Sequence, residues 1–171
     1  MSAARAAGPS ARGRAAAAAR APWLLAVLVL VLGASCAAPR PTTLGVRPGT
    51  SALAPCPSSP NCVSSTADDA AHRTEPFALA GDPAAAWAGV REAVASTPRT
   101  EVVAATDRYL HAEATTRLMR YVDDLELLLD PATGRVEVRS ASRIGYGDMG
   151  ANAARVEALR ARLRAAGLLA P

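Results

Sequence analysis

One stretch of the chain, residues 118–142, restricts the fold more than any other because its pattern predicts a β-hairpin of defined register. Leucines recur there at every second position: Leu125, Leu127 and Leu129. Side chains at this spacing lie on one face of a β-strand. The segment 130–134 (Asp-Pro-Ala-Thr-Gly) has the composition of a tight turn. We therefore predict two antiparallel strands, 118–129 and 135–142, whose apolar residues face a common core.

Helical patterns lie on both sides of this hairpin. Asp82-Pro83 is typical of a helix start, and apolar residues then recur at helical spacing to about residue 96. Two shorter strands are predicted at 101–106 and 109–115, and a last helix is predicted at 151–166. The order helix, four strands, helix predicts an α+β domain, with a four-stranded antiparallel sheet and two helices packed on one face.

The N-terminal part of the chain has the pattern of an export signal. Trp23–Leu32 is an uninterrupted apolar run, with arginines before it and small residues between it and Cys36. The run is short for a membrane-spanning helix, which needs about 20 apolar residues. Leu32–Cys36 resembles a lipobox, although Gly33 stands where Leu or Val is usual, and the sequence leaves open whether it is processed.

We therefore predict a signal segment at residues 1–36, lipid attachment at Cys36 and anchoring to a bacterial membrane. The alternatives are an uncleaved anchor and simple secretion. Each of the three places the remainder of the chain outside the cytoplasm.

The surplus of positive charge lies in this leader. The formal net charge is +4, and four arginines precede the apolar run while no acid does. The remainder of the chain therefore carries as many acids as arginines, which argues against a nucleic-acid partner because such binding needs a surplus of positive charge on the folded domain. The partners that we expect are the membrane, through the lipid on Cys36, and an envelope protein or a small ligand.

A change in composition divides the chain beyond the leader into a tether and a domain. Residues 37–55 are rich in Pro, Thr, Gly and Ala and predict a flexible tether, so that the folded domain spans 56–171. Cys56 and Cys62 predict a disulfide in an oxidising compartment. The alternative is a redox or metal pair, but five intervening residues suit neither Cys-x-x-Cys chemistry nor the usual zinc spacing.

Three blocks of the sequence resemble one known family, the domain of unknown function 1499. Residues 56–65 resemble its opening Cys-Pro-x-Ser-Pro-Asn-Cys-Val-Ser-Ser, and residues 120–126 are similar to its Arg-Phe-Val-Asp-Asp-Val-Glu block. Residues 139–150 resemble its Arg-Ser-Ala-Ser-Arg-x-Gly-x-x-Asp-x-Gly block. The family occurs in bacterial envelopes and photosynthetic organelles, and the resemblance implies no activity. Residues 152–155 read Asn-Ala-Ala-Arg where Asn-Arg-x-Arg is usual, so a basic contact is expected to be missing there.

A polar cluster is predicted at one end of the sheet. Strand alternation directs Asp123 to the helix-covered face, where a buried carboxylate needs hydrogen-bond donors. The candidate members of the cluster are Asp123, Ser140, Ser142, Arg143, Asp148 and Asn152. We interpret it as an internal clamp that holds the glycine-rich connection 145–150. The alternative is a pocket for a ligand.

The remaining polar residues predict structural roles. Asp124 and Glu126 share the outward strand face with Arg139 and predict a cross-strand ion network in place of paired catalytic carboxylates. We predict no metal site, because neither His72 nor His111 has an acid or Cys at ligand spacing. No residue pattern predicts a catalytic site or a cofactor.

The expected function is that of an exported, membrane-anchored lipoprotein whose domain binds a partner or small ligand and is not an enzyme. The alternatives are an envelope hydrolase or transferase with its site near Asp123, Ser140 and Arg143, and a scaffold that bridges the membrane and a complex.

Overall fold

The computed structural model describes residues 38–47 and 49–171. Two helices and six strands occur in this part of the chain, in the order β1 Cys62–Ser64, β2 Phe77–Ala78, α1 Pro83–Ala95, β3 Thr100–Ala105, β4 Tyr109–Thr115, β5 Val122–Asp130, β6 Arg135–Ser142 and α2 Ala151–Ala165. Neither helix is long and apolar enough to cross a membrane.

All six strands belong to one antiparallel sheet. The strand order is β1-β6-β5-β4-β3, and β2 pairs with the other end of β6. The α+β class agrees with this arrangement, but the prediction of a four-stranded sheet is wrong. The two additional strands are three and two residues long, too short for alternation to reveal them. They form because the outer edge of β6 would otherwise leave backbone groups unpaired.

The hairpin of β5 and β6 sets the register of the sheet. Leu127 lies opposite Val138 and Leu129 opposite Val136, so leucines and valines share one face as their spacing predicts. The strand β5, predicted to begin at residue 118, begins at Val122, because residues 117–119 form a turn.

Both helices contribute to the core on this leucine face. Val90 and Val94 of α1 and Val156 and Leu163 of α2 are buried in one cluster with the hairpin residues. The α1 helix starts as predicted, since the Asp82 side chain accepts a hydrogen bond from Ala85 N at 2.8 Å.

The opposite face of the sheet is also covered. Every residue of β5 from Val122 to Leu129 is buried, which requires cover on both faces. The cover comes from the described residues that precede β1, 38–47 and 49–61, here called the N-terminal segment. Gly45 N donates to Glu126 Oε1 at 2.7 Å, and Leu53 is 2% exposed. Part of the stretch expected to be a tether, around Gly45 and at Leu53 and Ala54, therefore lies against the sheet.

Candidate ligand-binding site

Two polar clusters lie on opposite faces of β5, because adjacent strand residues point in opposite directions. The helix-face cluster lies under α2 and consists of Asp123, Ser140, Ser142, Asp148, Asn152 and Arg155. The opposite-face network lies under the N-terminal segment and consists of Tyr109, His111, Glu113, Asp124, Glu126, Arg139 and Arg143.

Asp123 is the charged centre of the helix-face cluster and is 2% exposed. Arg155 Nη2 donates to Asp123 Oδ2 at 2.5 Å, and Arg155 Nη1 donates to Ser140 Oγ at 2.9 Å. The guanidinium supplies the hydrogen-bond donors and the opposite charge that a buried carboxylate needs.

Asn152 ties together three distant parts of the chain and is completely buried. Its Oδ1 accepts from Ser140 Oγ at 2.7 Å. Its Nδ2 lies 2.8–2.9 Å from three acceptors, which are Asn61 O, Ser142 Oγ and Asp148 Oδ2. Asn61 of the first motif block and Ser140, Ser142 and Asp148 of the last one therefore meet at the start of α2. Arg155 of the same helix binds Asp123 of the middle block.

Asp148 binds the first turn of α2. Its carboxylate accepts from Gly150 N at 2.9 Å and from Asn152 N at 2.8 Å. Partial burial on its own would raise the pKa of Asp148, but these amide hydrogen bonds outweigh burial and hold the pKa below its ordinary value. The carboxylate also satisfies amides that a helix start leaves without partners. The cluster thus fixes the connection between β6 and α2.

The Ser140 hydroxyl is not arranged as a nucleophile. It donates its proton to an amide oxygen of Asn152, which is not a base, and it accepts from Arg155. Nucleophilic activation needs a neighbouring base that can take this proton.

The structure places Arg143 on the opposite face, away from Asp123. Arg143 donates to both carboxylate oxygens of Asp124, from Nε at 2.9 Å and from Nη2 at 2.6 Å. Its Nη2 also lies 2.5 Å from Glu113 Oε1. Ser142 ends β6 with its side chain towards α2, and the next residue turns to the other face by strand alternation. Arg143, a candidate member of the cluster, therefore does not belong to it, and Arg155 is the cation that contacts Asp123.

Burial and ion pairing compete in the opposite-face network. Burial raises the pKa of Asp124, but hydrogen bonds from Arg143 and His111 outweigh it and leave the pKa below its ordinary value. The same competition lowers the pKa of Glu113, where Arg40 and Arg143 oppose burial. These acids are therefore held in their charged form.

Glu126 is the second acid of this network on β5 and is completely buried. Arg139 Nη1 donates to Glu126 Oε2 at 3.0 Å, and the Tyr109 hydroxyl donates to Oε1 at 2.8 Å. Burial, followed by the charge of Glu126, raises the pKa of Tyr109 far above its ordinary value.

His111, Glu113 and Asp124 bring three metal-type ligand atoms within 4.8 Å of one another. His111 Nε2 lies 2.7 Å from Asp124 Oδ1. The Arg143 guanidinium contacts both carboxylates and supplies the positive charge that a metal ion would bring. Sequence reasoning missed this trio, although two of its members are two residues apart on β4 and hence on one strand face.

A separate cleft of about 380 Å³, here called the basic cleft, opens beside the helix-face cluster. The end of α1, the start of β3, the end of β4 and α2 form its walls. All of its charged lining residues are arginines, namely Arg99, Arg117, Arg155 and Arg162. Its buried apolar lining consists of Val94, Ala114, Leu125 and Leu159.

Two arginines of the cleft are held in place by the fold. Arg155 bonds to Asp123, and Arg162 Nη1 donates to Ala93 O at 3.1 Å and to Thr97 Oγ1 at 3.2 Å. Arg99 and Arg117 are exposed and form no ion pair within the described part of the chain. Asp123 compensates the charge of Arg155. The other three guanidinium groups, with no acid in the lining, make the cleft electropositive. The signal for Arg155 was its place three residues after Asn152, on the same side of the helix.

The Sγ atoms of Cys56 and Cys62 lie at bonding distance, 2.04 Å apart. Cys36 and the preceding leader lie outside the described residues.

Fold and clusters together define a small α+β domain in which a buried asparagine joins motifs that lie far apart in the sequence. A family model described as "Protein of unknown function (DUF1499)" matches residues 52–163, and the chain belongs to this family. No curated protein and no solved structure matches the chain.

Proposed function

We propose that this domain binds an anionic amphiphile, a single-chain lipid with a carboxylate or phosphate group, in the basic cleft. The observation that carries the proposal is a lining whose charges all come from arginine, above an apolar floor. Arginine binds carboxylate and phosphate through paired hydrogen bonds.

The size and construction of the cleft support this ligand class. A volume of about 380 Å³ is within the range of small-molecule sites. Leu125 and Leu159, 3% and 6% exposed, provide apolar contact for an alkyl chain. Arg155 and Arg162 form a fixed wall, whereas the guanidinium groups of Arg99 and Arg117 are free to close on an anion.

The contacts of the helix-face cluster favour binding over hydrolysis or group transfer. The Ser140 proton is donated to an amide oxygen, and Arg143 lies on the other face of the sheet. The cluster positions Arg155 at the cleft wall and offers no activated nucleophile.

We also propose that the chain is exported and anchored to a membrane by lipid on Cys36. The leader pattern and the oxidisable pair Cys56 and Cys62 support export from the cytoplasm, and the leader pattern supports the anchor. Cell fractionation and mass spectrometry of the mature N-terminus test it. Diacylated Cys36 as the first residue is the expected result, and uncleaved, unmodified Met1–Cys36 would contradict it.

Hydrogen exchange of the full-length protein in phosphatidylcholine nanodiscs tests whether the basic cleft binds a single-chain anionic lipid. Octyl phosphate should slow exchange of the amides in residues 97–100 and 115–117, and octanol should not, because it lacks the anion. The double variant Arg99→Gln/Arg117→Gln should lose this protection, while Arg91→Gln on the exposed side of α1 should retain it. Equal protection by octanol, or none by either compound, would contradict the proposal.

A further inference from the structure

Exposed apolar side chains are concentrated at one end of the sheet. Six large hydrophobic residues are exposed in the described part of the chain, and five of them lie in two loops: Leu118, Met119, Ile144, Tyr146 and Met149. Leu118 is 88% exposed and Tyr146 is 78% exposed. Such a concentration is unusual on a surface that faces only water.

The two loops are neighbours. The β4–β5 loop (residues 116–121) and the β6–α2 loop (residues 143–150) both leave the sheet beside Val122. Val122 pairs with Thr115 of β4, and its carbonyl accepts from Arg143 N at 3.3 Å. The exposed apolar residues therefore lie at the same end of the sheet, and the surface of these two loops is here called the loop surface.

The charges around the loop surface are positive. Arg117 and Arg120 flank Leu118 and Met119, and the β4–β5 loop contains no acid. Asp148, the acid of the other loop, is bound to the amides at the start of α2. Apolar side chains next to exposed arginines that form no ion pair in the described part of the chain match an anionic lipid surface, where each nearby arginine adds attraction.

Backbone conformation marks the same end of the molecule. The non-glycine residues with positive φ in the described part of the chain are Arg99, Arg120 and Met149, at 58°, 54° and 52°. Arg99 adjoins the loops because its carbonyl accepts from Thr115 N at 2.8 Å. Left-handed backbone at long side chains is costly and is retained mainly at functional surfaces.

The first described residue of the chain lies at this end. Arg143 Nη1 donates to Ala38 O at 3.3 Å, which holds the first described residue beside the β6–α2 loop. Cys36 precedes Ala38 by two residues, a reach of about 7 Å when extended. This step rests on the proposed anchoring at Cys36.

We propose that the loop surface docks on the anionic membrane that carries the anchor, so that the domain lies directly on the bilayer. Leu118, Met119, Tyr146 and Met149 enter the headgroup region, and Arg117 and Arg120 contact lipid phosphates. Arg117 also lines the basic cleft. The cleft would then open at the headgroup region, from which a single-chain lipid anion would enter.

Spin labels at opposite ends of the sheet test the docking. Full-length protein is reconstituted in vesicles of phosphatidylglycerol or of phosphatidylcholine, with a label at Leu118→Cys or, as matched control, at Ala132→Cys in the exposed β5–β6 turn. Collisions with a water-soluble nickel chelate report exposure. We expect the label at 118 to lose accessibility in phosphatidylglycerol vesicles, while the label at 132 keeps the value seen in water.

A charge reversal adds a second test. Arg120→Glu should restore accessibility at 118 in phosphatidylglycerol vesicles, and Arg91→Glu, on α1, should not.

Equal accessibility at 118 and 132 in protein that floats with the vesicles would overturn docking and leave anchoring intact. Dipolar coupling between labels at 118 in phosphatidylglycerol vesicles would overturn it as well, because a second copy of the chain would then cover the loops. Equal protection in both lipids would overturn the role of anionic lipid, and failure to float would overturn anchoring and docking together.

Discussion

Arg155 Nη2 and the buried Asp123 Oδ2 form an ion pair at 2.5 Å that joins the start of β5 to the last helix. The two residues are 32 positions apart in the sequence and meet because α2 packs against β6, the neighbour of β5 in the sheet. The same guanidinium also lines the basic cleft. The pair therefore links the stability of the domain to the geometry of its proposed ligand site.

Replacing Arg155 by Met removes the cation and keeps much of the apolar stem. Asp123 then stays buried without a counter-ion, and we expect the free energy of unfolding to fall by about 3–5 kcal/mol. Urea denaturation followed by circular dichroism measures the loss. Arg164→Met, in the exposed last turn of α2, should cost less than about 1 kcal/mol. A similar loss in both variants would show that Asp123 does not depend on Arg155.

Substituting Asn152→Asp keeps the shape of the side chain but replaces its donor by an acceptor. The new carboxylate would face Asp148 Oδ2, now 2.8 Å from Asn152 Nδ2. We expect a loss of about 3 kcal/mol at neutral pH, because buried like charges repel and donors are lost. Tm measured against pH should show partial recovery in acid, where the new acid becomes protonated. An unchanged Tm at pH 7 would refute the central role of Asn152.

Asp148 makes stability depend on pH in acid. Its folded-state pKa is below its ordinary value of 3.8, so the unfolded chain takes up its proton first as pH falls. The stabilisation is therefore complete above the unfolded-state pKa and is lost as pH falls through the folded-state pKa. We expect Asp148→Asn to lower Tm at pH 7 and to reduce the steepness of acid unfolding. Parallel curves for the variant and the unmodified chain would contradict this.

Removing Arg143 should convert the trio of His111, Glu113 and Asp124 into a metal site. In Arg143→Ala the guanidinium that bridges Glu113 and Asp124 is gone, and His111 stays in place. We expect Zn²⁺ to raise the Tm of this variant, since a ligand that binds the folded state stabilises it. The unmodified chain should show no such shift, and His111→Ala/Arg143→Ala should abolish it. A shift of equal size in all three proteins would mean binding elsewhere.

The pair Cys56 and Cys62 closes a short loop beside β1. Cys62 lies opposite Ala141 of β6, so the bond holds the edge strand in register. The double variant Cys56→Ser/Cys62→Ser should lose about 2 kcal/mol in the free energy of unfolding. Hydrogen exchange should accelerate most at residues 62–64. Uniform acceleration across the sheet would show a global effect and no specific one at this edge.

Local patterns were enough to predict the hairpin and the helices. Alternating leucines and the turn at 130–134 define the register of β5 and β6, because side-chain direction in a strand depends only on position along it. The N-cap at Asp82 was readable for the same reason, since it involves residues three apart.

Long-range pairing was not readable in this way. β1 and β2 are strands only because β6 offers them an edge. His111 of β4 contacts Asp124 of the neighbouring strand β5. The N-terminal segment covers a face of the sheet that alternation alone predicts to face solvent.

The sequence by itself determined the spacing of apolar residues, the turn chemistry and the three motif blocks that identify the family, since each depends on residues close together along the chain. Tertiary structure decided that Arg155 and not Arg143 neutralises Asp123, that Arg143 lies between Glu113 and Asp124, and that four arginines share one cleft. Which cation reaches a buried carboxylate depends on how α2 packs over the sheet, and that packing is a property of the whole core.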